Sequence, residues 1–318
     1  MRVTKKLDES TIINIFQKKF GDKDFISEDA EVIQFGQEKV FVKTDTLVQS
    51  SDIPHKMKLK DAARKSVAAC VSDFASKGVR PEYGIISVNL PKAITIKTVN
   101  EIAEGFKKAS QEFGFPIVGG DTNQGKEVVF NVCVFGKSKK MITRRGSKKG
   151  DLIFATGPFG YTAIGLKSLL NNARRQDKII LKSISYFLKP KPKLDFALKS
   201  RKYFSSAMDS SDGLSTTLNT MAGQSKKKFN ITNFPVGSDI QRYVKTKNQL
   251  IDLVFHGGEE YEFVFTINPK HKKNILEIAE SLKTPIIEIG HVSSGEGVQL
   301  ELDNKKIILR DLGWSHFF

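Results

Sequence analysis

The sequence predicts an α+β protein in two parts, each made of mixed strand and helix layers. Three observations carry that expectation. Strand-like and helix-like segments alternate along the whole chain, and a basic, glycine-containing stretch at residues 144–150 interrupts them near the middle. The length of 318 residues also points to about two domains. The expected domains are therefore residues 1–143 and 144–318.

In the first half, residues 39–43 read as a strand that delivers Thr44-Asp45 to its end. Asp61 is placed to cap a helix carrying Ala63, Val67, Cys70, Val71 and Phe74 on one face, with Gly78 beyond its end. Residues 84–90 follow as a strand. Ile96, Val99, Ile102, Ala103, Phe106 and Ala109 then form a helical stripe that stops before Gly114. Residues 116–119 read as a short strand ending in Gly119-Gly120-Asp121. Residues 128–135 are apolar on both faces, as in a central strand.

The second half opens with a strand at residues 151–156 and a glycine-punctuated helix start at Gly157-Pro158-Phe159-Gly160. Residues 204–208 form a strand leading into Asp209-Ser210-Ser211-Asp212-Gly213, after which Leu214, Leu218 and Met221 recur at helical spacing. Residues 261–267 are a strand, Ile275, Ile278, Ala279 and Leu282 a helical stripe, and residues 285–292 a further strand. A hairpin at Asp303-Asn304 completes the half.

Composition narrows the function classes. Hydrophobic residues make up 39% and charged residues 27%, the balance of a soluble globular protein. There is no apolar run near the ~18 residues of a membrane span and no secretory signal, so the expected location is the cytoplasm. Cys70 and Cys133 sit in apolar segments outside any CxxC pair, as reduced core residues do. The net charge of +16 comes partly from lysine clusters at residues 137–149, 189–193 and 226–228. These lie in apparent loops without interleaved aromatics, which reads as solvated surface rather than a specific nucleic-acid interface. The surplus would also attract anionic, phosphorylated substrates.

The chemistry-bearing features are acidic turns: Glu28-Asp29, Thr44-Asp45, Asp73, Gly119-Gly120-Asp121 and Asp209 with Asp212. Each aspartate alone is at home as a turn or cap residue. Together they offer oxygen ligands for Mg2+, which takes a few carboxylates and the phosphates of a substrate. Gly119-Gly120 adds bare backbone for close phosphate approach. Gly136-Lys137-Ser138 imitates the end of a phosphate-binding P-loop, but Asn131 stands where the first glycine is required. No His-based zinc spacing and no nucleophilic triad is present. His256, beside Gly257-Gly258, reads as structural.

Taken in order, the motifs resemble those of the thiamine-monophosphate kinase family, in the superfamily that includes aminoimidazole ribonucleotide synthetase, selenophosphate synthetase and HypE. The anchors are Glu28-Asp29-Ala30, Thr44-Asp45, Ser72-Asp73-Phe74-Ala75-Ser76-Lys77-Gly78-Val79-Arg80-Pro81, Gly119-Gly120-Asp121-Thr122, Arg144 with Gly150-Asp151, Asp209 to Leu214, and Gly257-Gly258-Glu259-Glu260-Tyr261-Glu262. The tail Gly313-Trp314-Ser315-His316-Phe317 is similar to that of the kinase branch, and Ser51-Asp52-Ile53-Pro54 looks like its archaeal form. Glu28, Lys43, Val79 and Glu260 depart from the family's usual residues.

The resemblance implies a two-domain chain of the aminoimidazole ribonucleotide synthetase type: an N-terminal sheet-and-helix domain that dimerises, and a C-terminal α/β sandwich. It implies ATP-dependent phosphorylation of thiamine monophosphate to thiamine diphosphate with several Mg2+ ions. Asp29, Thr44, Asp45, Asp73, Asp121, Asp209 and Asp212 would ligate the metal, Asp121 and Asp212 being central to catalysis. Gly120, Asp121, Arg144 and Ser211 would meet ATP. Asp52, Glu259, Glu260 and Trp314 would face thiamine monophosphate, the Trp314 ring through cation–π attraction to the thiazolium. A sister enzyme of the superfamily and a basic nucleic-acid-binding protein on the same scaffold are the alternatives.

Overall fold

A computed structural model describes residues 8–21, 26–171, 177–303 and 305–315. Asn304, His316 and Phe317, which enter the sequence reading of the last hairpin and tail, lie outside the described residues. The chain runs α1 (Glu9–Phe20), β1 (Glu31–Phe35), β2 (Glu38–Val48), the short α2 (Gln49–Asp52), α3 (Leu59–Ser76), β3 (Tyr83–Pro91), α4 (Ile96–Phe113), β4 (Ile117–Gly125) and β5 (Val129–Lys137). After an irregular crossing come β6 (Leu152–Thr156), α5 (Tyr161–Leu170), α6 (Lys178–Leu188), α7 (Leu194–Ser200), β7 (Phe204–Ser210) and α8 (Leu214–Ser225). The chain ends with β8 (Lys228–Ile231), α9 (Ser238–Tyr243), α10 (Lys247–Ile251), β9 (Glu262–Ile267), α11 (Lys272–Ser281), β10 (Ile286–Ser293), β11 (Gly297–Leu302) and β12 (Lys305–Ile308).

The strands form two sheets, a five-stranded one in the order β1-β2-β5-β3-β4 and a seven-stranded one in the order β12-β11-β8-β10-β6-β9-β7. Most neighbours are antiparallel. β3 and β4 are parallel, joined through α4 as a parallel pair requires. β5 is central, in keeping with its apolar sequence. α4 begins on the side chain of Thr95 and ends on Gly114 in the left-handed conformation, so its limits follow from capping.

α3 organises the packing. Every residue from Ala62 to Ser76 is buried, because the helix touches β2, β5 and α4 on one side and α6, α7, β7 and β9 on the other. One apolar cluster therefore runs from Phe41, Phe74 and Phe130 to Phe196, Phe263 and Phe265. A second, around Phe159, Leu218, Phe229 and Phe255, lies within the later half. Among the described residues no helix is long and apolar enough to cross a membrane.

Three local expectations change. Thr44-Asp45 does not end its strand: β2 pairs with β5 as far as Val48, so both residues lie inside the ladder. Gly119-Gly120-Asp121 likewise lies inside β4, where Gly120 passes so close to β3 that a Cβ would come within 1.5 Å of the Ile86 carbonyl oxygen. α3 starts on Lys58 without a side-chain cap, and Asp61 sits in its first turn. There its charge complements the helix dipole rather than capping an N–H.

Candidate active site

The site is built on the turn between β7 and α8. Asp209 and Ser210 close β7, paired with Phe263 and Glu262 of β9. Gly213, at φ 112°, lets the chain turn sharply into α8. Two other segments are hydrogen-bonded to this turn, through three backbone bonds. The Glu259 N–H donates to the Ser211 carbonyl at 2.6 Å, Tyr261 N–H to Ser210 at 3.1 Å, and Trp314 N–H to Asp212 at 2.8 Å. The Asp-rich turn, the Gly257-Gly258 loop and the tail are thus held together by backbone bonds whatever their side chains do.

Burial then brings acids from both halves together. Asp29, Asp73 of α3 and Asp209 each present a carboxylate oxygen within 4.8 Å of the others, and all three are buried. Uncompensated, such charges repel by roughly 3–4 kcal/mol per pair at an effective dielectric near 20. Basic side chains oppose this. Lys77, itself fully buried, lies 2.9 Å from Asp29 and 2.6 Å from Glu28. Arg144 donates through Nε to Asp29 at 2.6 Å and pairs with it through a second nitrogen. Lys43 of β2 reaches Asp73 at 3.0 Å.

Titration follows these partners. Burial works against the ionised form of Asp29, but Lys77 and Arg144 prevail and hold its carboxyl well below the usual range. Burial raises Asp73 to about 7, with Lys43 opposing and Asp29 and Asp45 adding to the rise. Asp209 is pushed well above the ordinary value by burial and then by Asp73 and Asp29. Asp212 is raised to about 6, chiefly by burial and the charge of Glu9. Burial also lifts Asp45, against the pull of Lys43.

Beside the cluster opens a cleft of ≈ 620 Å³. Its walls include Lys43, Asp45, Asp52, Ser211, Asp212, His256, Glu259 and Trp314. Asp52 is held by the Val48 N–H at 2.7 Å. Glu259, with a positive φ of 70°, pairs with the buried Lys65, whose ammonium lies 3.6 Å from the centroid of the Phe187 ring. His256 Nδ1 is 3.0 Å from Ser215 Oγ, and burial lowers the histidine's pKa, favouring the neutral ring. Trp314 remains 60% exposed along one edge.

The remaining named residues stand apart from this cleft wall. Glu260 is buried with one carboxylate oxygen on the Gly160 N–H at 3.2 Å and the other without a hydrogen-bond partner. Arg144 is committed to Asp29 and to the Ser27 hydroxyl. Thr44 and Asp121 project from the sheet face opposite α3: Thr44 pairs with Cys133 and Asp121 with Ser87, whereas Lys43 and Asp45 alternate onto the helix side with buried Phe41 and Leu47. Gly120 lies on the helix side of β4, against Ile86.

Two contributors were not singled out as site residues from the sequence. Lys65 and Lys77 read as ordinary helix lysines, yet both are completely buried. Their one signal is position: Lys65 lies within the run of α3 that carries small and apolar residues on every side, and Lys77 caps that helix, where an unpaired ammonium would be costly.

Residues 27–138 match the family described as AIR synthase related protein, N-terminal domain. Over 312 residues the chain is 60% identical to a thiamine-monophosphate kinase of Nitrosopumilus maritimus, covering 98% of this chain and 99% of that one. It is 33% identical over 313 residues to a thiamine-monophosphate kinase of Pyrococcus horikoshii, covering 98% and 96%. A solved structure described as AaThiL complexed with AMPPCP and TMP superposes with a TM-score of 0.86 at 27% identity, over 99% of each chain. With near-complete alignment to these relatives at up to 60% identity, the chain belongs to the thiamine-monophosphate kinase family.

Proposed function

We propose that this protein transfers the γ-phosphoryl group of ATP to the phosphate of thiamine monophosphate, giving thiamine diphosphate and ADP. The observation that carries the reading is the junction of a buried three-carboxylate cluster with an open cleft whose rim carries an aromatic ring. A solved relative described as complexed with AMPPCP and TMP supports the same pair of reactants.

The donor set fits magnesium. It is all oxygen, without histidine or cysteine, as hard divalent cations require. Burial raises several of its carboxyls, and a bound divalent cation would oppose that rise. Asp29, Asp73 and Asp209 would hold cations at the base of the cleft, with Asp45 and Asp212 at its wall. Bound there, Mg2+ would offset the charge of the two phosphate groups and align them.

The protein's own groups have complementary tasks. Lys43 presents positive charge at the cleft floor. The Ser210–Asp212 backbone, tied to the Gly257-Gly258 loop and the tail, would fix the walls. The Trp314 face suits the thiazolium cation. The acceptor phosphate monoester is already largely ionised near neutrality, its second pKa being about 6, so the reaction needs no strong general base. His256, with Nδ1 3.0 Å from Ser215 Oγ, would serve to shape the cleft wall.

The outer face of the five-stranded sheet supports a homodimer. The register places Ile33, Phe35, Tyr83 and Ile85 on the face away from α3, and all four are exposed. Asp121 and Thr44 share that face. A second copy packed there would cover the apolar side chains and enclose Asp121 and Thr44 at the contact, with twofold symmetry making the burial mutual.

Incubation with ATP, Mg2+ and thiamine monophosphate should yield thiamine diphosphate by mass, and Asp212→Asn should lower the rate by at least about a hundredfold. Absence of product from the intact protein would overturn the assignment. Trp314→Ala should raise KM for thiamine monophosphate about 2- to 30-fold with little change for ATP; equal effects would make the ring a mere anchor for the tail. Mixing Asp121→Asn with Asp212→Asn chains should restore about a quarter of wild-type activity if Asp121 serves the partner's site, and none if it acts within its own chain.

Stability offers an independent check. Folded Asp73 and Asp212 keep protons that the unfolded chain, with aspartate pKa values near ~3.9, has already released. Their contribution is therefore complete below pH ~4 and is lost as pH rises through about 6 and about 7. Metal-free protein should lose thermal stability across that window, and added Mg2+ should raise Tm more at pH 8 than at pH 5. An equal shift at both would remove these carboxyls from the cation site.

A further inference from the structure

Lys43 stands apart from the other cations of the cluster. Lys77 and Arg144 both serve Asp29, on the side where Glu28 and Ser27 enclose them. Lys43 instead projects from β2 into the gap between α3 and the cleft. Its ammonium lies 3.0 Å from Asp73 Oδ2 and is within electrostatic reach of Asp45 on its own strand and Asp209 on β7. Asp209 itself forms no ion pair among the described residues; its carboxylate meets only the Ser72 hydroxyl, at 3.4 Å. The Lys43 side chain remains 28% exposed and lines the cleft, so it touches both the buried acids and the space open to ligands.

We propose that the Lys43 ammonium is a built-in cation of the site, holding a position among Asp45, Asp73 and Asp209 that a divalent ion would otherwise take. Two cations sharing the same carboxylates at close range repel one another, so an ammonium fixed by a strand backbone lowers the number of metal ions that the acids can hold. It also keeps Asp73 and Asp45 compensated before any metal arrives. Lys43 is thus a positioning residue: it sets how many ions assemble and where a phosphate meets fixed rather than exchangeable charge. The inference deepens the phosphoryl-transfer reading and rests on it for the purpose of the cations.

The test counts Mn2+ bound per chain by electron paramagnetic resonance, with no nucleotide present. Lys43→Ser, which frees the position, should bind about one more ion per chain at saturation than wild type, and Lys43→Arg, which keeps the charge, should match wild type. Equal counts for Lys43→Ser and wild type would overturn the proposal. Thermal unfolding at pH 8 gives a second readout. Metal-free Lys43→Ser should melt below wild type or be unfolded, and Mn2+ should close the gap; a deficit that Mn2+ leaves unchanged makes Lys43 a structural contact and defeats the inference. Because neither measurement involves turnover, a failed ion count and a failed kinase assay are separate results.

Discussion

The mutual repulsion of three buried carboxylates, and the cations that restrain it, is the constraint on which the rest of the molecule depends. Asp29 precedes the first sheet, Asp73 sits in α3, and Asp209 ends a strand of the second sheet. Nothing in local structure would bring them together, and on charge alone they would separate. Lys77, Arg144 and Lys43 make the convergence tolerable. Burying such ion pairs adds little net stability, but losing one partner would leave a charge stranded in the interior. The result is a site whose acids are assembled yet under-neutralised, with the carboxyls of Asp45, Asp73, Asp209 and Asp212 displaced upward chiefly by burial.

α3 is the mechanical counterpart of that charge balance. Apolar side chains along it join both sheets into one core, so the two halves cannot shift without disturbing Phe74 and its neighbours. The same helix carries Lys65, Asp73 and Ser76 into the interior, with Lys77 at its C-cap. Packing and site chemistry are therefore carried by a single segment. Small residues such as Ala62, Ala63, Ala68 and Ala69 let the neighbouring elements approach closely enough for its polar groups to meet their partners.

Much of the secondary structure was legible because its signals are local. The stripe of α4 ends at Gly114, β5 is uniformly apolar, and the β7–turn–α8 unit is marked by Asp-Gly punctuation. Where local reading went astray, pairing had extended a strand. Ladder bonds to β5 carry β2 beyond Asp45, and pairing with β3 carries the short strand read at residues 116–119 on through Gly119-Gly120-Asp121 to Gly125. The buried Lys65 of α3 and Lys77 at its end were likewise hidden, since a lysine normally signals solvent. Only the surrounding alanines and valines hinted otherwise.

What the chain by itself determined was the inventory: which carboxylates, glycines and aromatic residues are present, in which order, and hence the family to which they belong. Those features are carried by residue identity and spacing, and they survive any arrangement in space. What only the tertiary structure decided was the partition of the acids. Strand alternation sends Asp45 and Lys43 to the helix side of β2 and Thr44 to the other, while the register with β3 puts Asp121 on that outer face. A shift of one residue in pairing would exchange these faces without altering a letter of the sequence. The choice belongs to long-range packing, because only the burial of Phe41 and Leu47 against the core selects one register over the other.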